Sequence, residues 1–518
     1  MTSQGIGGDG DVRAFMQQFQ GLLQRMSVEL GPEEEGGEPL VQVLTDHLGV
    51  AAERLAVVTE EIAAHRAVDA DIALEELAAP DAEARLVGIG GGDMRHHFTL
   101  GDLLQAGRFG PGRIPVGQVD YLRLDTGPRP EDTRQVITAG VRLFHHDGVP
   151  VAVRVMGRNP HVGREKAIFE ALAPERDAAE ALVARLREVM DERSVMRGQV
   201  ITLASDPYGP GLAGATFIER PALTPDDVVL PEGELDRIEH HVVGIGRHRD
   251  RLREHGQHLK RGILLYGPPG TGKTHTVRYL LSATPGTTAV LLSGGALQHI
   301  HAAAKIARAH QPAIVVLEDV DLVAEDRSLT MGPQPLLFEV LDALDGLDAD
   351  ADVAFLLTTN RVEDLEVALA QRPGRVDLAA QIPLPDLEGR LALLRLYGRH
   401  LFEDAALSAA AERAEGTTAS FAKELVRRAV LAAALEETAP GDRHLASALD
   451  ELLSDSELLT RSLLGVQGFG GEGGEGLGDP EEMGPGGFPG PGTAAFAGPM
   501  PGVYRGRGPG WFAHRPRP

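Results

Sequence analysis

The sequence predicts an α/β fold with a parallel sheet flanked by helices, and three segments carry this prediction. Residues 262–266 form a short apolar run that leads into a glycine-rich loop and then a helix-compatible segment. A second apolar run, residues 313–317, follows a helix-like stretch and ends in two carboxylates. A third, residues 355–359, ends in an asparagine. Strands that alternate with helices pair in parallel, so polar side chains at their carboxyl ends share one edge of the sheet.

The first segment has the complete pattern of a phosphate-binding loop. Eight residues, Gly267–Thr274, read G-x-x-x-x-G-K-[ST] between a strand and a helix. Glycines let the backbone N–H groups face phosphates, and the helix N-terminus adds partial positive charge. Lys273 is expected to reach the β- and γ-phosphates of a bound nucleotide, and Thr274 to hold Mg²⁺. The predicted binding run is Gly267, Pro268, Pro269, Gly270, Thr271, Gly272, Lys273, Thr274 and His275.

Length and charge limit the remaining possibilities. A chain of 518 residues implies roughly three or four domains at about 150 residues each. Its 42% apolar and 24% charged residues are typical of globular proteins. The formal net charge of −26 opposes general nucleic-acid binding, which depends on Lys and Arg replacing phosphate counterions. A nucleic-acid partner is therefore not expected.

The composition also excludes several kinds of chemistry. With no cysteine, the chain has no disulfides, no thiolate catalysis and no Cys-based zinc sites. It has no signal-peptide pattern at its N-terminus and no apolar run near the roughly 18 residues that span a bilayer. We expect a cytoplasmic protein without a membrane partner.

The second segment resembles a known family. Residues 312–321, Pro-Ala-Ile-Val-Val-Leu-Glu-Asp-Val-Asp, are similar to the Walker B region of AAA family ATPases, which use an Asp-Glu pair at this place. Here the order is reversed to Glu318-Asp319. The resemblance implies a catalytic role for both acids, with Glu318 also a ligand of Mg²⁺. Since a displacement near 1 Å costs on the order of 100-fold in rate, the shorter Asp319 favours slow turnover.

The resemblance extends along the chain. Residues 336–347 are similar to the helix that follows in the family, and Asn360 takes the place of its first sensor, which orients the attacking water. Residues 370–377, Ala-Gln-Arg-Pro-Gly-Arg-Val-Asp, resemble the arginine-finger segment. The resemblance implies that Arg372 and Arg375 act on the γ-phosphate of a neighbouring subunit.

Two further segments match at the base of the nucleotide. Residues 415–425 align with the second sensor, where the family often has Gly-Ala and this chain has Ala419-Ser420. Upstream, Asp227-Val228-Val229 occupies the place where the family packs against adenine. The resemblance therefore implies adenosine contacts from Val228, Val229 and Ala419.

The family's protein-threading members carry an aromatic pore loop, which this chain does not match. Residues 294–301 read Gly-Gly-Ala-Leu-Gln-His-Ile-His, without an aromatic side chain. Threading of polypeptide is therefore not supported. His299 and His301 are interpreted as exposed polar residues, because two alternate histidines are a weak metal signal. No H-E-x-x-H motif is present, so the zinc-protease mechanism of some family members is excluded.

The N-terminal 220 residues lie outside the resemblance. The apolar spacing over residues 11–30 predicts an amphipathic helix, which packs within its own domain or binds a partner. Short β-like runs follow from Val87, with strands predicted at 119–124, 136–144 and 149–156 and a helix at 177–192. The glycines at 88, 90, 91 and 92 resemble a phosphate loop, but without a strand-turn-helix frame we interpret them as a flexible linker.

The last segment is rich in Gly and Pro and cannot repay the entropy of folding. Its arginines, such as Arg505 and Arg515, contact a nucleic acid or an acidic partner, or are simply solvated. The predicted organisation is a helical domain (1–86), a mixed α/β domain (87–220), the large AAA subdomain (221–385), a helical lid (386–464) and a disordered tail (465–518).

The resulting hypothesis is an enzyme that hydrolyses ATP with Mg²⁺. A homo-hexamer would use hydrolysis to remodel an unknown protein partner engaged through the first 220 residues. The rival is a slow nucleotide-dependent switch or scaffold, in which ATP sets the assembly state. A nucleic-acid motor is disfavoured by the net charge.

Overall fold

The computed structural model describes residues 38–109, 114–205, 212–321, 351–361 and 376–454. Several predicted features lie outside this range and stay predictions. They are the helices at 11–30 and 336–347, the arginine-finger segment with Arg372 and Arg375, and the tail.

Residues 38–192, here called the N-terminal module, are built on an antiparallel sheet. Its strands are β1 (Val58–Ile62), β2 (Arg85–Ile89), β3 (Val116–Gly117), β4 (Asp120–Asp125), β5 (Thr133–His146), β6 (Val149–Met156) and β7 (Ala167–Leu172). Their order is β1-β7-β6-β5-β2-β3, and β4 also pairs with β5. The strands predicted at 119–124, 136–144 and 149–156 are confirmed as β4, β5 and β6.

Helices cover both faces of this sheet. They are α1 (Leu40–Leu48), α2 (Ala67–Ala78), α3 (Leu100–Phe109) and α4 (Arg176–Glu192). Successive residues of β5 point to opposite faces. Phe144 packs with α2 and α4 in one core, whereas Leu143 packs with α1 and α3 in another. The helix predicted at 177–192 is confirmed as α4, which buries an i, i+3, i+4 stripe against the sheet.

The predicted boundary at residue 86 does not match this architecture. β1 lies inside the segment predicted to be a helical domain, and β2 crosses the boundary. The glycine linker is also wrong, because Gly88 lies within β2 opposite Gly117. A Cβ on Gly88 would lie 2.1 Å from the carbonyl carbon of Gln118, so close pairing explains the glycine.

A second sheet carries the nucleotide-binding motifs. Its strands are β8 (Val200–Ser205), β9 (Leu212–Ile218), β10 (Arg261–Tyr266), β11 (Thr288–Ser293), β12 (Ala313–Glu318), β13 (Val353–Thr359) and β14 (Leu378–Gln381). The order is β14-β10-β13-β12-β11-β8-β9, with every pair parallel except β8 with β9. The central strands are buried on both faces, as their continuous apolar runs predict.

The parallel α/β prediction is therefore confirmed, with one difference. β8 and β9 extend this sheet although both precede residue 220, so the predicted boundary at 220 does not coincide with an edge of the sheet. Helices α5 (Lys273–Ser282) and α6 (Ile300–Ala309) follow β10 and β11 and make the parallel connections.

Four helices after the sheet form a compact cluster. They are α7 (Leu387–Gly398), α8 (Asp404–Arg413), α9 (Ala419–Leu435) and α10 (Asp442–Leu453). Asp386 caps α7 by accepting from Gly389 N, and Thr418 caps α9 by accepting from Phe421 N. Phe421, Leu425 and Leu445 are among the residues of a separate apolar core. These four helices lie within the segment predicted to be the lid, and they are called the lid helices, or the lid, below.

Candidate nucleotide site

The loop between β10 and α5 is folded tightly against β14. Gly267 has φ 148°, and a Cβ at this position would lie 2.1 Å from the carbonyl oxygen of Ile382. Gly272 has φ 111° and immediately precedes the first residue of α5. Residues with a side chain rarely adopt these conformations, so the glycines allow the curl of the loop. The loop leads into the N-terminus of α5, an arrangement that suits phosphate binding.

Lys273 is held inside the curl of the loop. Its Nζ donates to the carbonyl oxygens of Gly267 and Pro268, each at 2.9 Å, and the residue is only 6% exposed. Burial lowers the pKa of Lys273, while the negative charges of Asp319 and Asp321 oppose this shift. Asp319 and Asp321 are therefore close enough to the ammonium group for their charges to act on it.

The acidic pair lies at the carboxyl end of β12. Glu318 is the last residue of the strand, and Asp319 follows in a left-handed conformation with φ 50°. The backbone N–H of Asp319 donates to Thr358 Oγ1 at 3.0 Å, which fixes the turn against β13. Burial, then the charge of Asp319, raises the pKa of Glu318, and a hydrogen bond with Thr274 opposes the rise. Glu318 and Thr274, the predicted metal ligands, therefore lie close to each other.

Asn360 is held by a third carboxylate, Asp321, that the sequence reasoning did not use. Asp321 is 7% exposed and accepts from the backbone N–H of Asn360 at 3.2 Å and from its Nδ2 at 3.4 Å. Thr359 Oγ1 donates to the same carboxylate at 3.1 Å. The only signal for this role was the acidic spacing Glu-Asp-x-Asp after a buried strand.

An open cavity of about 400 Å³ joins these groups. Predicted residues in its lining are Pro269, Gly270, Gly272, Lys273, Thr274, His275, Asp319, Asn360 and Ala419. Four other lining residues were missed, namely Arg278, Tyr397, Ser420 and Lys423. The lid helices supply three of these four, and the fold alone places such distant residues beside the loop.

The two valines that were predicted to contact adenine pack against apolar cores instead. Val228 packs against the core of the second sheet and Val229 against the core of the lid, and neither lines the cavity. Their neighbour Asp227 does reach the site through its backbone, because its carbonyl oxygen lies 2.8 Å from His275 Nε2. A carbonyl only accepts, so this bond places the proton of a neutral His275 on Nε2.

The lid contacts the loop directly. Both the backbone N–H and the Oγ of Ser420 lie within hydrogen-bond distance of Gly270 O, at 3.1 and 3.3 Å. Ser420 is in the first turn of α9, and Lys423 follows one turn later. This contact brings the first turn of the lid helix to the mouth of the cavity.

The histidines of residues 294–301 differ from the prediction. His299 is buried, not exposed, and is the last residue of a short helical turn that directly follows β11. His301 is exposed on α6. Burial lowers the pKa of His299. Within the described residues, no group of three or more His, Asp or Glu side chains is arranged to hold a metal ion.

A glycine-rich loop before a helix, a buried lysine and carboxylates at the adjoining strand ends define a P-loop nucleotide-binding domain. Residues 263–384 match the profile of the AAA family, ATPases associated with various cellular activities. The chain is 27% identical over 292 residues to a proteasome-activating nucleotidase of Pyrococcus horikoshii, covering 54% of this chain and 72% of that protein.

Two other relatives show the same kind of match. One is the ATP-dependent zinc metalloprotease FtsH 1 of Thermomicrobium roseum, at 29% over 49% of this chain and 41% of that protein. The other is a proteasome-activating nucleotidase of Methanocaldococcus jannaschii, at 31% over 41% and 52%. Residues 263–384 therefore form an AAA ATPase domain, and the chain is an ATP hydrolase. Among the described helices, none has the length and apolar character to cross a membrane.

Proposed function

We propose that the chain hydrolyses Mg²⁺-ATP in an oligomeric ring and uses the energy to remodel a protein partner.

 The ring that we propose is a homo-hexamer. The observation that carries the proposal is the cavity in which Lys273 and Thr274 of the loop meet Asp319 and Asn360 from two neighbouring strand ends. This arrangement places a cation, hydroxyl, carboxylate and amide around one space, as phosphoryl transfer to water requires.

The proposed roles follow from these positions. Lys273 would bind the β- and γ-phosphates, while Thr274 and Glu318, which lie close to each other, would hold Mg²⁺. Bound Mg²⁺ would neutralise charge that develops on the phosphate oxygens. Asp319 would accept a proton from the attacking water, and Asn360, oriented by Asp321, would position that water. Arg372 and Arg375 would stabilise the γ-phosphate of the next subunit.

The names of the relatives support a protein partner. A nucleotidase named for activating a proteasome and an ATP-dependent metalloprotease both join ATP use to proteolysis. We propose that the N-terminal module engages the partner, because it supplies a separate sheet away from the nucleotide cavity. Cytoplasmic location is part of the same proposal.

One observation favours the rival function, a slow switch whose ATP state controls assembly. The acid nearest the cavity is Asp319, which is one methylene shorter than the glutamate of the family. A base placed about 1 Å too far from the water would slow hydrolysis by on the order of 100-fold. A steady rate of hydrolysis that a partner protein stimulates would favour remodelling over the switch.

The test of the ring mixes two inactive chains. Arg372→Ala lacks the finger but keeps its own loop, whereas Lys273→Ala lacks the loop cation but keeps its finger. Since an arginine supplied in trans contributes on the order of 10³–10⁵ in rate, mixing should restore hydrolysis that neither chain shows alone. Wild-type specific activity should also rise with protein concentration. A monomer in ATP that turns over at a concentration-independent specific rate would contradict the ring and favour the switch.

A further inference from the structure

Three buried polar side chains, here called the polar network, join the N-terminal module to the second sheet. Asp69 on α2 is fully buried, and His310, between α6 and β12, is 1% exposed. Ser194, after α4, lies between them: its Oγ is 2.6 Å from His310 Nε2, and its side chain is close enough to Asp69 to lower the pKa of that carboxyl, against the larger upward effect of burial. None of these groups belongs to the nucleotide site.

The donors and acceptors of the polar network can be assigned from the chemistry of its side chains. Ser194 has one hydroxyl proton, and Asp69 as a carboxylate only accepts, so the hydroxyl donates to Asp69. His310 must then donate to Ser194 through Nε2–H, which leaves Nδ1 unprotonated. Among the described residues, none lies within hydrogen-bond geometry of His310 Nδ1. Burial lowers the pKa of His310 to about 4, although an interaction with the backbone of Ala309 opposes this shift. The neutral imidazole is therefore the form that makes the contact at neutral pH.

Asp69 and His310, the two ends of the polar network, also form hydrogen bonds that involve the backbone. Asp69 accepts from the backbone N–H of Val195 at 2.9 Å and pairs with Arg66 at 2.8 Å. The carbonyl oxygen of His310 accepts from Thr288 Oγ1 at 2.8 Å, at the first residue of β11. A buried polar network of this kind holds one geometry because any broken bond leaves an unpaired polar group.

Apolar packing beside the polar network also connects the N-terminal module to the second sheet. Met196, two residues after Ser194, is 1% exposed and packs in the core of the second sheet with α6 and β12. Only seven residues separate the end of α4 at Glu192 from the start of β8 at Val200. The connection is therefore a packed joint rather than a flexible tether.

His310 also has a special position along the chain. β12 begins three residues after it, at Ala313, and that strand ends in Glu318, directly before Asp319. The joint therefore holds the amino end of the same strand whose carboxyl end carries the acidic pair. A strand with bonded neighbours on both sides, here β11 and β13, is stiff enough to connect its two ends.

We propose that His310, Ser194 and Asp69 are positioning residues that couple the N-terminal module rigidly to strand β12. Through this joint, the state of the N-terminal module sets the placement of Glu318 and Asp319 and hence the rate of hydrolysis. This inference rests on the proposed roles of the acidic pair. It names the regulation of that site: a partner bound to the module acts from the opposite end of the sheet.

The experiment combines kinetics with hydrogen exchange on the full chain. In wild type, Mg²⁺-ATP should slow amide exchange in α2 and α4 as well as in β12. Ser194→Ala should lose this effect in α2 and α4. It should also lower kcat by on the order of 2- to 30-fold, the usual range for coupling residues, while KM for ATP is unchanged.

Two sets of variants separate positioning from simple stability. His310→Gln keeps an N–H donor for Ser194 and should stay near wild type, whereas His310→Ala should behave like Ser194→Ala. The matched control is His444→Gln in the lid, where a histidine that is 3% exposed contacts Glu436 and has no link to the module. This control should change the stability of the lid but leave the response of α2 to ATP intact.

The outcomes are distinguishable. If Ser194→Ala and His310→Ala lower the melting temperature yet keep the wild-type kcat and the ATP response of α2, the joint is only structural and the inference is wrong. A wild type in which ATP leaves α2 unchanged also overturns it. If instead wild type binds ATP without hydrolysing it, the proposed roles of the acidic pair fail, and the exchange measurement still tests the joint.

Discussion

Glu318 and Asp319 are neighbours in the sequence, but they occupy different parts of the site. The backbone places both carboxylates at the end of β12, but the conformations differ, since Asp319 is left-handed and Glu318 is extended in the strand. Glu318 lies close to Thr274, and Asp319 lines the cavity. The roles that we propose for the two acids therefore follow their positions rather than their residue types.

We predict that Asp319→Asn binds ATP normally and stops hydrolysis. The amide keeps the size of the side chain but cannot take a proton from water, and general-base catalysis contributes about 10²–10⁴ in rate. Glu318→Gln should instead weaken the dependence of the reaction on Mg²⁺. Nucleotide binding by fluorescence titration and phosphate release measured at several Mg²⁺ concentrations separate the two effects.

The stability of the nucleotide-free protein provides a control for Glu318→Gln. Because the pKa of Glu318 is raised in the folded state, its contribution to stability is present at low pH and lost as the pH rises through the folded pKa. At neutral pH without Mg²⁺, Glu318→Gln should therefore raise the melting temperature. Normal hydrolysis by Asp319→Asn would show that Glu318 or another group activates the water.

At the scale of the element, helix α9 connects the lid to the phosphate loop. Its first turn hydrogen-bonds Gly270 through Ser420, and its next turn presents Lys423 to the cavity. The sequence indicated this region through Ala419-Ser420. It gave no reason to choose Ser420 or Lys423, because Ser420 bonds to a residue 150 positions earlier and Lys423 lines a cavity that the phosphate loop also lines.

We predict that Ser420→Ala releases nucleotide faster, by about 2- to 10-fold. The substitution removes one hydroxyl hydrogen bond, typically worth about 0.5–1.5 kcal/mol, and keeps the backbone bond to Gly270. Stopped-flow release of a fluorescent ATP analogue measures the effect. Ser454→Ala is the matched control, since that hydroxyl donates to Glu451 at the end of α10. Equal release rates in both variants would mean that the hydroxyl does not hold the lid.

At the scale of the whole molecule, ATP binding should control assembly. Lys273→Ala removes the cation that the loop holds at 6% exposure, and losing one partner of a buried charge pair costs about 2–5 kcal/mol. We expect ATP affinity to fall by at least about 30-fold and ring formation in ATP to be lost. Sedimentation velocity with and without ATP measures the assembly.

Lys305→Ala is the control, because this lysine is exposed on α6. It should bind ATP and assemble like wild type. Wild-type affinity in Lys273→Ala would instead mean that the loop does not bind phosphate in the proposed way.

The parallel α/β class, the phosphate loop and the strand ends that carry Glu318, Asp319 and Asn360 could all be predicted from the amino-acid sequence. These features are local: a glycine pattern and an apolar run with a polar end specify the same geometry wherever they occur. Only the tertiary structure decided that β1 belongs to the N-terminal sheet and that β8 and β9 extend the second one. It alone brought Lys423 to the cavity and His310 to Ser194, because these contacts join residues more than 100 positions apart, and no local pattern encodes such pairings.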